Sequence, residues 1–285
     1  MKKVLLFGAT GNLGKEIAGE LVQQGYALTA VVRNKTKAEE LSSITKDFIV
    51  ADVTNASSLS GICPGYDTVV SSLGKSVSLN DKSKPSFRDV DFYANKNILN
   101  EAKQSGIKKF VYVSALGSEN YLNLEYFKVH HEFSEELKKS GINYSIIKPP
   151  AIFCAFIDVI QMSRKGQLMN IGKGDKKTNP IHEKDLAKVC VDSIQDTNTI
   201  VEAGGPEVYT RKQINEIIQS KVNPAKKLMS VPAGFVKMGL PFIRLISKNT
   251  YDKMAFYTAV LEHDVLAPKM GKLKLEDYIS DKAKS

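Results

Sequence analysis

Cysteine and long apolar stretches are both scarce in this chain of 285 residues. The three cysteines, Cys63, Cys154 and Cys190, are scattered and odd in number, so neither a disulfide framework nor a metal site is predicted. No run of about 18 uncharged apolar residues occurs, which argues against a membrane span. Met1-Lys2-Lys3 leads straight into an apolar run without a signal-peptide pattern. These absences predict a cytoplasmic protein whose cysteines are small buried hydrophobes.

Acidic residues are fewer than basic ones. The chain has 40 Lys and Arg against 31 Asp and Glu, a formal net charge of +9. Such an excess could attract nucleic acid, anionic lipid or a phosphorylated ligand. The lysines are spread along the chain, and aromatic residues do not alternate with them as they do in a platform that stacks on bases. The composition therefore favours a phosphorylated small molecule over nucleic acid.

Short apolar runs alternate with helical segments over the first 150 residues. Strands are predicted at 4–7, 27–33, 47–53, 67–73, 108–116 and 142–150. Helices are predicted after residue 14 and at 35–44, 89–106 and 125–141. This order implies right-handed crossovers and an α/β fold with a doubly wound parallel sheet of the Rossmann type.

The regular alternation of predicted strands and helices ends after residue 150. A strand is predicted at 199–205, and helices are predicted at 152–165, 183–195, 210–221, 233–247 and 250–262. We therefore expect residues 1–150 to form a dinucleotide-binding core. Residues 151–285 are expected to complete the sheet and to form a smaller, mostly helical substrate cap.

Three glycines stand where the first strand turns into the first helix. The stretch GATGNLG, residues 8–14, places them at Gly8, Gly11 and Gly14. A helix N-terminus offers free N–H groups to phosphate, and glycine lets a ligand approach the backbone closely. The spacing is G-x-x-G-x-x-G rather than the better known G-x-G-x-x-G. A purely structural turn is the alternative, but the position at the first strand of an alternating pattern favours a dinucleotide site.

The end of the second predicted strand distinguishes the two nicotinamide cofactors. NAD sites usually place an acid about 20 residues beyond the glycines, on the ribose hydroxyls. Here Arg33 occupies that region, followed by Lys35 and Lys37. A guanidinium forms charge-assisted hydrogen bonds to a 2′-phosphate, which a carboxylate would repel. We predict NADP(H) in preference to NAD(H), with Arg33 as the determinant and the two lysines in a solvated turn.

These motifs resemble those of the atypical short-chain dehydrogenases/reductases of the NmrA-like, NAD(P)-binding type. The resemblance covers residues 1 to about 150 with specific motifs and continues more weakly through 180–194 and 204–210. It implies a set of cofactor contacts that follow strand ends: Gly8, Thr10, Gly11, Asn12, Leu13, Gly14, Arg33, Asp52, Val53, Ser72, Leu73, Gly74, Ser114, Ala115, Pro149, Ile152 and Phe153. Simpler roles stay open: Asp52 as a turn cap, Ser72 as a local backbone partner and Phe153 as core.

The resemblance also implies a catalytic Tyr-x-x-x-Lys pair on the helix after the fifth strand. Tyr126 matches the tyrosine, but His130 stands at the lysine position, and Ser114 joins them as the third catalytic candidate. Residues four apart share a helix face, so Tyr126 and His130 are expected to meet, whereas Lys128 points elsewhere. A histidine is mostly uncharged at neutral pH and favours a phenolate less than lysine does. Tyr126 could still donate a proton as the neutral phenol.

Three functions follow from these observations. The first is an NADP(H)-dependent reductase or dehydrogenase for an unidentified small organic carbonyl or alkene. The second is a non-catalytic NADP(H) sensor that regulates a protein, and the third is an assembly factor that docks through residues 231–262. The apolar segment 231–248 is interpreted first as a cap over the substrate, with a membrane surface or a protein partner as alternatives. Gly234, Gly239 and Pro241 are expected to interrupt its helix.

Overall fold

The computed structural model describes residues 2–284, with all their side chains except those of Val236 and Lys237. The strands are β1 Lys3–Phe7, β2 Ala27–Val32, β3 Phe48–Val50, β4 Thr68–Ser71, β5 Lys109–Val113, β6 Asn143–Lys148, β7 Met169–Ile171, β8 Lys177–Thr178, β9 Thr199–Glu202, β10 Tyr209–Thr210 and β11 Met229–Val231. The helices are α1 Asn12–Gln23, α2 Lys35–Glu39, α3 Asn95–Gln104, α4 Glu125–Lys138, α5 Ile157–Arg164, α6 Glu183–Asp192, α7 Arg211–Val222, α8 Ala233–Ile246, α9 Lys248–Glu262 and α10 Leu275–Lys284. A π-helical segment at Arg88–Ala94 leads directly into α3.

The chain divides into two compact units. The first contains the residues through Lys75, Pro85–Lys148 and Glu183–Glu202, and the second contains Ser76–Lys84, Pro149–His182 and the residues from Ala203 onward. The main step from one unit to the other follows β6. The excursion at Glu183–Glu202 adds α6 and β9 to the first unit.

A seven-stranded sheet organises the first unit. Its strand order is β3-β2-β1-β4-β5-β6-β9, and every pairing is parallel. Helices flank the sheet, with α1 packed on α6 and α3 packed on α4. The prediction of a doubly wound, Rossmann-type α/β fold is confirmed. The strand order reverses between β1 and β4, and in open parallel sheets ligands bind in the crevice beyond the carboxyl ends of the strands at such a reversal.

The central strands form because their side chains are apolar on both faces. Val4, Leu5, Leu6 and Phe7 of β1 are fully buried, as are Phe110 and Val111 of β5. Strands covered on both faces carry such continuous apolar runs rather than an alternating pattern. The core of the unit therefore runs through the sheet, and the strand ends are left to carry polar residues.

The second unit is mostly helical. Two short strand pairs, antiparallel β8–β10 and parallel β7–β11, accompany α5, α7, α8, α9 and α10. Its core contains Phe153, Ile160, Ile218, Leu275 and Ile279, which lie on or beside α5, α7 and α10. The sequence analysis missed α10 and all four short strands, because two or three residues show no period and α10 has few apolar positions.

Two local predictions were wrong. The helix expected at 35–44 ends at Glu39, and tight turns follow in which the N–H of Leu41 bonds to the carbonyl of Ala38 at 2.9 Å. These turns bury Leu41, which is 1% exposed. The expected interruption of the apolar helix does not occur, since α8 continues through Pro241. Pro241 is exposed, so water can satisfy the carbonyl that its missing N–H leaves unbonded. No helix within residues 2–284 combines the length and apolar character that crossing a membrane requires.

Candidate functional site: the strand ends of the first unit

The turn between β1 and α1 is shaped by glycine at two close approaches. Gly8 has φ +78, and a Cβ at this position would lie 2.9 Å from the backbone of Ser72 and Leu73. A Cβ at Gly14 would lie 2.0 Å from the carbonyl oxygen of Gly8. The turn therefore packs against the segment after β4 on one side and against its own helix on the other. Side chains larger than hydrogen are excluded at both positions.

The N-terminus of α1 is open toward solvent. Gly11 is the N-cap, so no side chain caps the helix, and the first turn holds no acidic residue. The free N–H groups of a first helical turn and the helix dipole together favour an anion. Gly11 and Asn12 are exposed, Thr10 is half-buried, and Leu13 is buried. A bound diphosphate would meet this turn through backbone amides, with the Leu13 side chain pointing into the core.

Arg33 and Asp52 follow neighbouring strands of the sheet. Arg33 comes directly after β2 and is exposed, and Asp52 comes shortly after β3. One oxygen of Asp52 accepts hydrogen bonds from the backbone N–H of Thr54 at 3.0 Å and from its hydroxyl at 2.7 Å. These bonds, assisted by the charge of Arg33, lower the pKa of Asp52. The open role of Asp52 as a turn cap is therefore seen in the structure, while the Arg33 guanidinium lies in its field.

Lys37, the second of the two lysines beyond Arg33, belongs to a surface ion-pair group. Glu40 forms ion pairs with Lys37 and with Lys15, the latter at 2.9 Å. These contacts lower the pKa of Glu40 to about 2. Asn34 caps α2 by accepting a hydrogen bond from the N–H of Lys37 at 3.0 Å. This arrangement fits the interpretation of the basic turn as local surface structure.

The segment after β4 is held from behind by two buried residues that the sequence analysis did not single out. The Ser71 hydroxyl donates to Asn95 Oδ1 at 2.6 Å. The Asn95 amide in turn donates to the carbonyls of Leu73 and Asp91. The Asp91 carboxyl accepts from the N–H of Lys75 at 3.2 Å. Asp91 and Asn95 thus fix the backbone of the predicted cofactor contacts Ser72 to Gly74. The N–H of Ser72 also bonds to the Phe7 carbonyl at 3.1 Å.

Tyr126 and His130 meet on α4, as their spacing predicts. Their rings are edge to face with centroids 4.7 Å apart. Tyr126 is half-buried, and its ring also meets Phe87 edge to face at 5.3 Å. His130 is only 5% exposed, and the Tyr112 hydroxyl lies 2.7 Å from its Nδ1. Its Nε2 lies 3.4 Å from Asp91 Oδ1.

Burial controls the charge of this group. Desolvation lowers the pKa of His130 to about 3, so the imidazole is neutral at physiological pH. Desolvation also raises the pKa of Tyr112 and that of Asp91 well above their ordinary values. The neutral imidazole carries one ring proton, so one of its two nitrogens donates and the other accepts in the contacts to Tyr112 and Asp91. The residue at the family's lysine position therefore supplies no positive charge to Tyr126.

Ser114 and Ala115 follow β5 and are both buried. The N–H of Ser114 bonds to the Ile147 carbonyl at 2.8 Å, and its hydroxyl lies 3.3 Å from the Ser134 hydroxyl. Ser134 in turn donates to the His130 carbonyl at 2.7 Å. These bonds tie Ser114 to α4, one turn beyond His130.

The last three predicted cofactor residues belong to the second unit. Pro149 is buried, and Ile152 bridges to Ile181. Phe153 is fully buried and meets His182 at 5.4 Å and Tyr278 at 5.4 Å, both edge to face. Phe153 therefore serves the core of this unit, the simpler role that its aromatic character left open.

A profile of a family described as NAD(P)H-binding matches residues 8–197. The chain belongs to this NAD(P)H-binding family. The matched range begins at Gly8 and spans the turn, Arg33, the loop after β4 and all of α4. The resemblance to atypical, NmrA-like short-chain reductases is thereby confirmed.

Relatives of this chain with named functions include two groups. The chain is 28% identical to divinyl chlorophyllide a 8-vinyl-reductase of Arabidopsis thaliana over 306 aligned positions, which cover 96% of this chain and 72% of the relative. It is 32% identical to the photosystem II assembly factor Ycf39 of Cyanidium caldarium over 151 positions, covering 53% of this chain and 47% of that protein. The relatives of this family member therefore include reductases and assembly factors.

Solved structures of similar fold include an NADPH-dependent quinone oxidoreductase. The Escherichia coli enzyme QOR2, complexed with NADPH, superposes with a TM-score of 0.74 at 18% identity, covering 98% of this chain and 99% of that one. The triphenylmethane reductase of Citrobacter sp., complexed with NADP(H), gives 0.74 at 17% identity, covering 98% and 99%. At these identities the likeness shows the fold.

Two patterns in the sequence could have pointed to the functional residues that were not predicted. Tyr112 lies in the apolar strand FVYV, and a buried tyrosine hydroxyl usually requires a partner. Asp91 and Asn95 are four residues apart on one helical face, and this spacing indicates that the two polar side chains could bind the same group. Neither pattern named the partner, because the contacts depend on how the helix after β4 lies beside α4.

Proposed function

We propose that the protein is an NADP(H)-dependent reductase of a small organic carbonyl or alkene. The observation that carries this proposal is the turn between β1 and α1, where a Cβ at Gly14 would lie 2.0 Å from the Gly8 oxygen and where the helix N-terminus is uncapped. Such a cradle suits a diphosphate. In this proposal the backbone of residues 10–14 holds the diphosphate, and Arg33 holds the 2′-phosphate of the adenosine.

The proposed chemistry needs a proton donor from the protein. Bound NADPH would supply the hydride. Tyr126 would donate a proton from its phenol, to the oxygen of a carbonyl substrate or to the carbon of an alkene that does not receive the hydride. His130 supplies no positive charge that would favour a phenolate, which suits Tyr126 to the acid role of a reduction rather than the base role of an oxidation. Burial keeps the imidazole neutral, and contacts to Asp91 and Tyr112 fix its position against the Tyr126 ring.

The names of relatives guide the choice of substrates to test. The name of the Arabidopsis relative says that it reduces a vinyl group, and the name of the E. coli enzyme of similar fold says that it is a quinone oxidoreductase. We therefore place quinones and vinyl-substituted aromatic compounds first in the panel, followed by aldehydes and ketones. The three free cysteines fit a reducing compartment, and we propose the cytoplasm.

A substrate panel with one matched pair of variants tests the reductase. Consumption of NADPH should appear with at least one compound, and Tyr126→Phe should lower kcat by about a hundredfold or more while NADPH affinity stays unchanged. Tyr93→Phe is the control, because Tyr93 is 52% exposed and lies in the same unit. Unchanged turnover in Tyr126→Phe would remove Tyr126 from the chemistry.

A non-catalytic NADP(H) sensor is the second candidate. One observation favours it: the position of the family's catalytic lysine holds a buried, neutral histidine that is bonded to Tyr112. A sensor would bind NADPH in titrations and would turn over no member of the panel. It would also release or recruit a protein partner when NADPH replaces NADP+. Failure to bind either nucleotide would contradict both candidates.

A further inference from the structure

One face of α8 is apolar and exposed. Five side chains form it, and we name them the α8 face: Phe235, Met238, Phe242, Leu245 and Ile246. Their exposed fractions run from 64% for Phe235 to 87% for Ile246. Contiguous apolar exposure on this scale marks an interaction site more often than chance, whereas single exposed apolar residues need no explanation.

The spacing of these residues makes the exposure a property of the helix. Positions 235, 238, 242, 245 and 246 follow the helical repeat, so the five side chains share an arc of about 100°. The helix α8 packs against α9. Arg244, off the apolar arc, places its guanidinium 5.4 Å from the centre of the Tyr251 ring. The α8 face is therefore directed away from α9.

The stretch of sequence that contains α8 carries charge of one sign. Between Glu216 and Asp252 the sequence contains no acidic residue and six Lys and Arg. The whole second unit holds 21 Lys and Arg against 11 Asp and Glu, a net charge of +10, while the first unit holds 19 against 20. The entire positive excess of the protein thus resides in the unit that exposes the α8 face.

We propose that the α8 face docks on an anionic lipid membrane. An amphipathic helix that lies in the plane of a membrane buries its apolar residues at the boundary between headgroups and acyl chains, and basic residues meet the anionic headgroups. The α8 face supplies the apolar residues. Arg244 in the last turn of α8 and Lys248 at the start of α9 are both exposed, and Lys248 also forms an ion pair with Asp252 at 2.7 Å. The surrounding unit supplies further positive charge.

Charge and composition argue against the other two candidate partners of the α8 face, a second copy of the chain and an acidic protein. A second copy would bring two units of +10 together, and their repulsion opposes a symmetric contact through α8. An acidic protein surface would satisfy the charge, but the five side chains of the α8 face have no polar residue among them to specify such a partner. A lipid surface requires only apolar area and basic charge, and both are present. The proposal is independent of the cofactor site.

Vesicle flotation of the full-length protein tests the docking. Vesicles of phosphatidylcholine alone are compared with a two-to-one mixture of phosphatidylcholine and phosphatidylglycerol. We expect at least about tenfold more protein on the anionic vesicles, with the difference shrinking in about 0.5 M salt. Absence of binding to the anionic vesicles at low salt would overturn the proposal, whatever protein partner is found later.

A triple variant locates the contact. Phe242→Ser, Leu245→Ser and Ile246→Ser together should reduce vesicle binding at least about tenfold. The control is the triple Val208→Ser, Leu266→Ser and Met270→Ser, whose residues are 42–47% exposed in the same unit. Equal loss in both triples, or no loss in the first, would overturn the role of α8. Light scattering on the same samples gives a further test. The role of α8 would be overturned if the wild type were a dimer that did not bind vesicles and the α8 triple variant were a monomer.

A fluorescent reporter keeps the test valid if the triple variant does not fold. The chain has no tryptophan, so Phe242→Trp introduces a single one. We expect its emission to shift to the blue on anionic vesicles and to be quenched by brominated lipid. Tyr93→Trp, an exposed position in the first unit, should show neither change. Equal responses from the two reporters would contradict docking through α8.

Discussion

The hydroxyl of Tyr112 lies 2.7 Å from Nδ1 of His130, inside the first unit. The two residues come from β5 and α4, and the bond ties the imidazole to the sheet. This contact fixes the orientation of His130 against the ring of Tyr126, and burial keeps the imidazole neutral. Position 130, where the resemblance to reductases with a Tyr-x-x-x-Lys pair implies a lysine, is part of the buried interior.

The buried imidazole predicts a defined pH dependence of stability. The pKa of His130 is about 3 in the folded protein, against about 6.5 when unfolded. As the pH falls below 6.5, only the unfolded chain takes up this proton, so the free energy of unfolding decreases by up to about 1.4 kcal/mol per pH unit until pH 3. Burial raises the pKa of Asp91, whose contribution has the opposite sign and is lost as the pH rises through this range.

Comparison with a variant isolates the histidine. Urea unfolding at pH 7, 6 and 5 should show that the stability advantage of the wild type over His130→Gln shrinks as the pH falls. His131→Gln, at the half-buried neighbouring position, should follow the wild-type profile. An advantage that grows toward low pH would mean that the folded protein charges His130, and the neutral assignment would be wrong.

Two glycines in α1 should respond oppositely to alanine. Gly14→Ala forces a Cβ to within 2.0 Å of the Gly8 oxygen, and because both partners are backbone, about 3 kcal/mol of stability should be lost together with nucleotide binding. Gly19 has no atom within 4 Å of its would-be Cβ, so Gly19→Ala should stabilise the helix by about 0.5–1 kcal/mol. Thermal unfolding measures both. Equal melting temperatures for the two variants would contradict the packing of the turn.

Arg33 should decide between the two cofactors. Arg33→Ala removes the charge-assisted hydrogen bonds that we propose to the 2′-phosphate, and NADPH affinity should fall about tenfold to a hundredfold. NADH affinity should stay unchanged, since that cofactor lacks the phosphate. Lys35→Ala is the control at an exposed position two residues further on. Titration by fluorescence measures the affinity of each of the three proteins for both nucleotides, and equal wild-type affinities for the two nucleotides would remove the case for NADP(H).

The three cysteines should differ in reactivity. Cys63 and Cys190 are fully buried, and burial raises the pKa of each thiol to about 12. Cys154 is half-buried. Under native conditions a thiol reagent should label one cysteine quickly, and Cys154→Ser should abolish that fast phase; three should react in urea. Fast labelling of more than one thiol in the native protein would show that a buried cysteine is accessible.

Much of the fold follows from local patterns. The seven strands of the sheet lie within the predicted segments or within a residue of them, because fully apolar runs and helical repeats are encoded in neighbouring residues. The turn at Gly8 to Gly14 was predictable for the same reason. The boundaries of α2 and the course of α8 through Pro241 were not, since the burial of Leu41 and the exposure of Pro241 depend on the surrounding packing.

The candidate site likewise has features that follow from local sequence patterns and features that depend on tertiary packing. Residue types and their spacing were enough to bring Tyr126 and His130 together and to place Arg33 at a strand end, because each inference spans at most one element. The partners of His130 come from elsewhere in the chain, Tyr112 on β5 and Asp91 on the segment before α3. Burial sets the charge of the imidazole, and burial is a property of the assembled layers. Only the folded protein could therefore turn a histidine that the spacing marked as catalytic into a neutral, buried support for Tyr126.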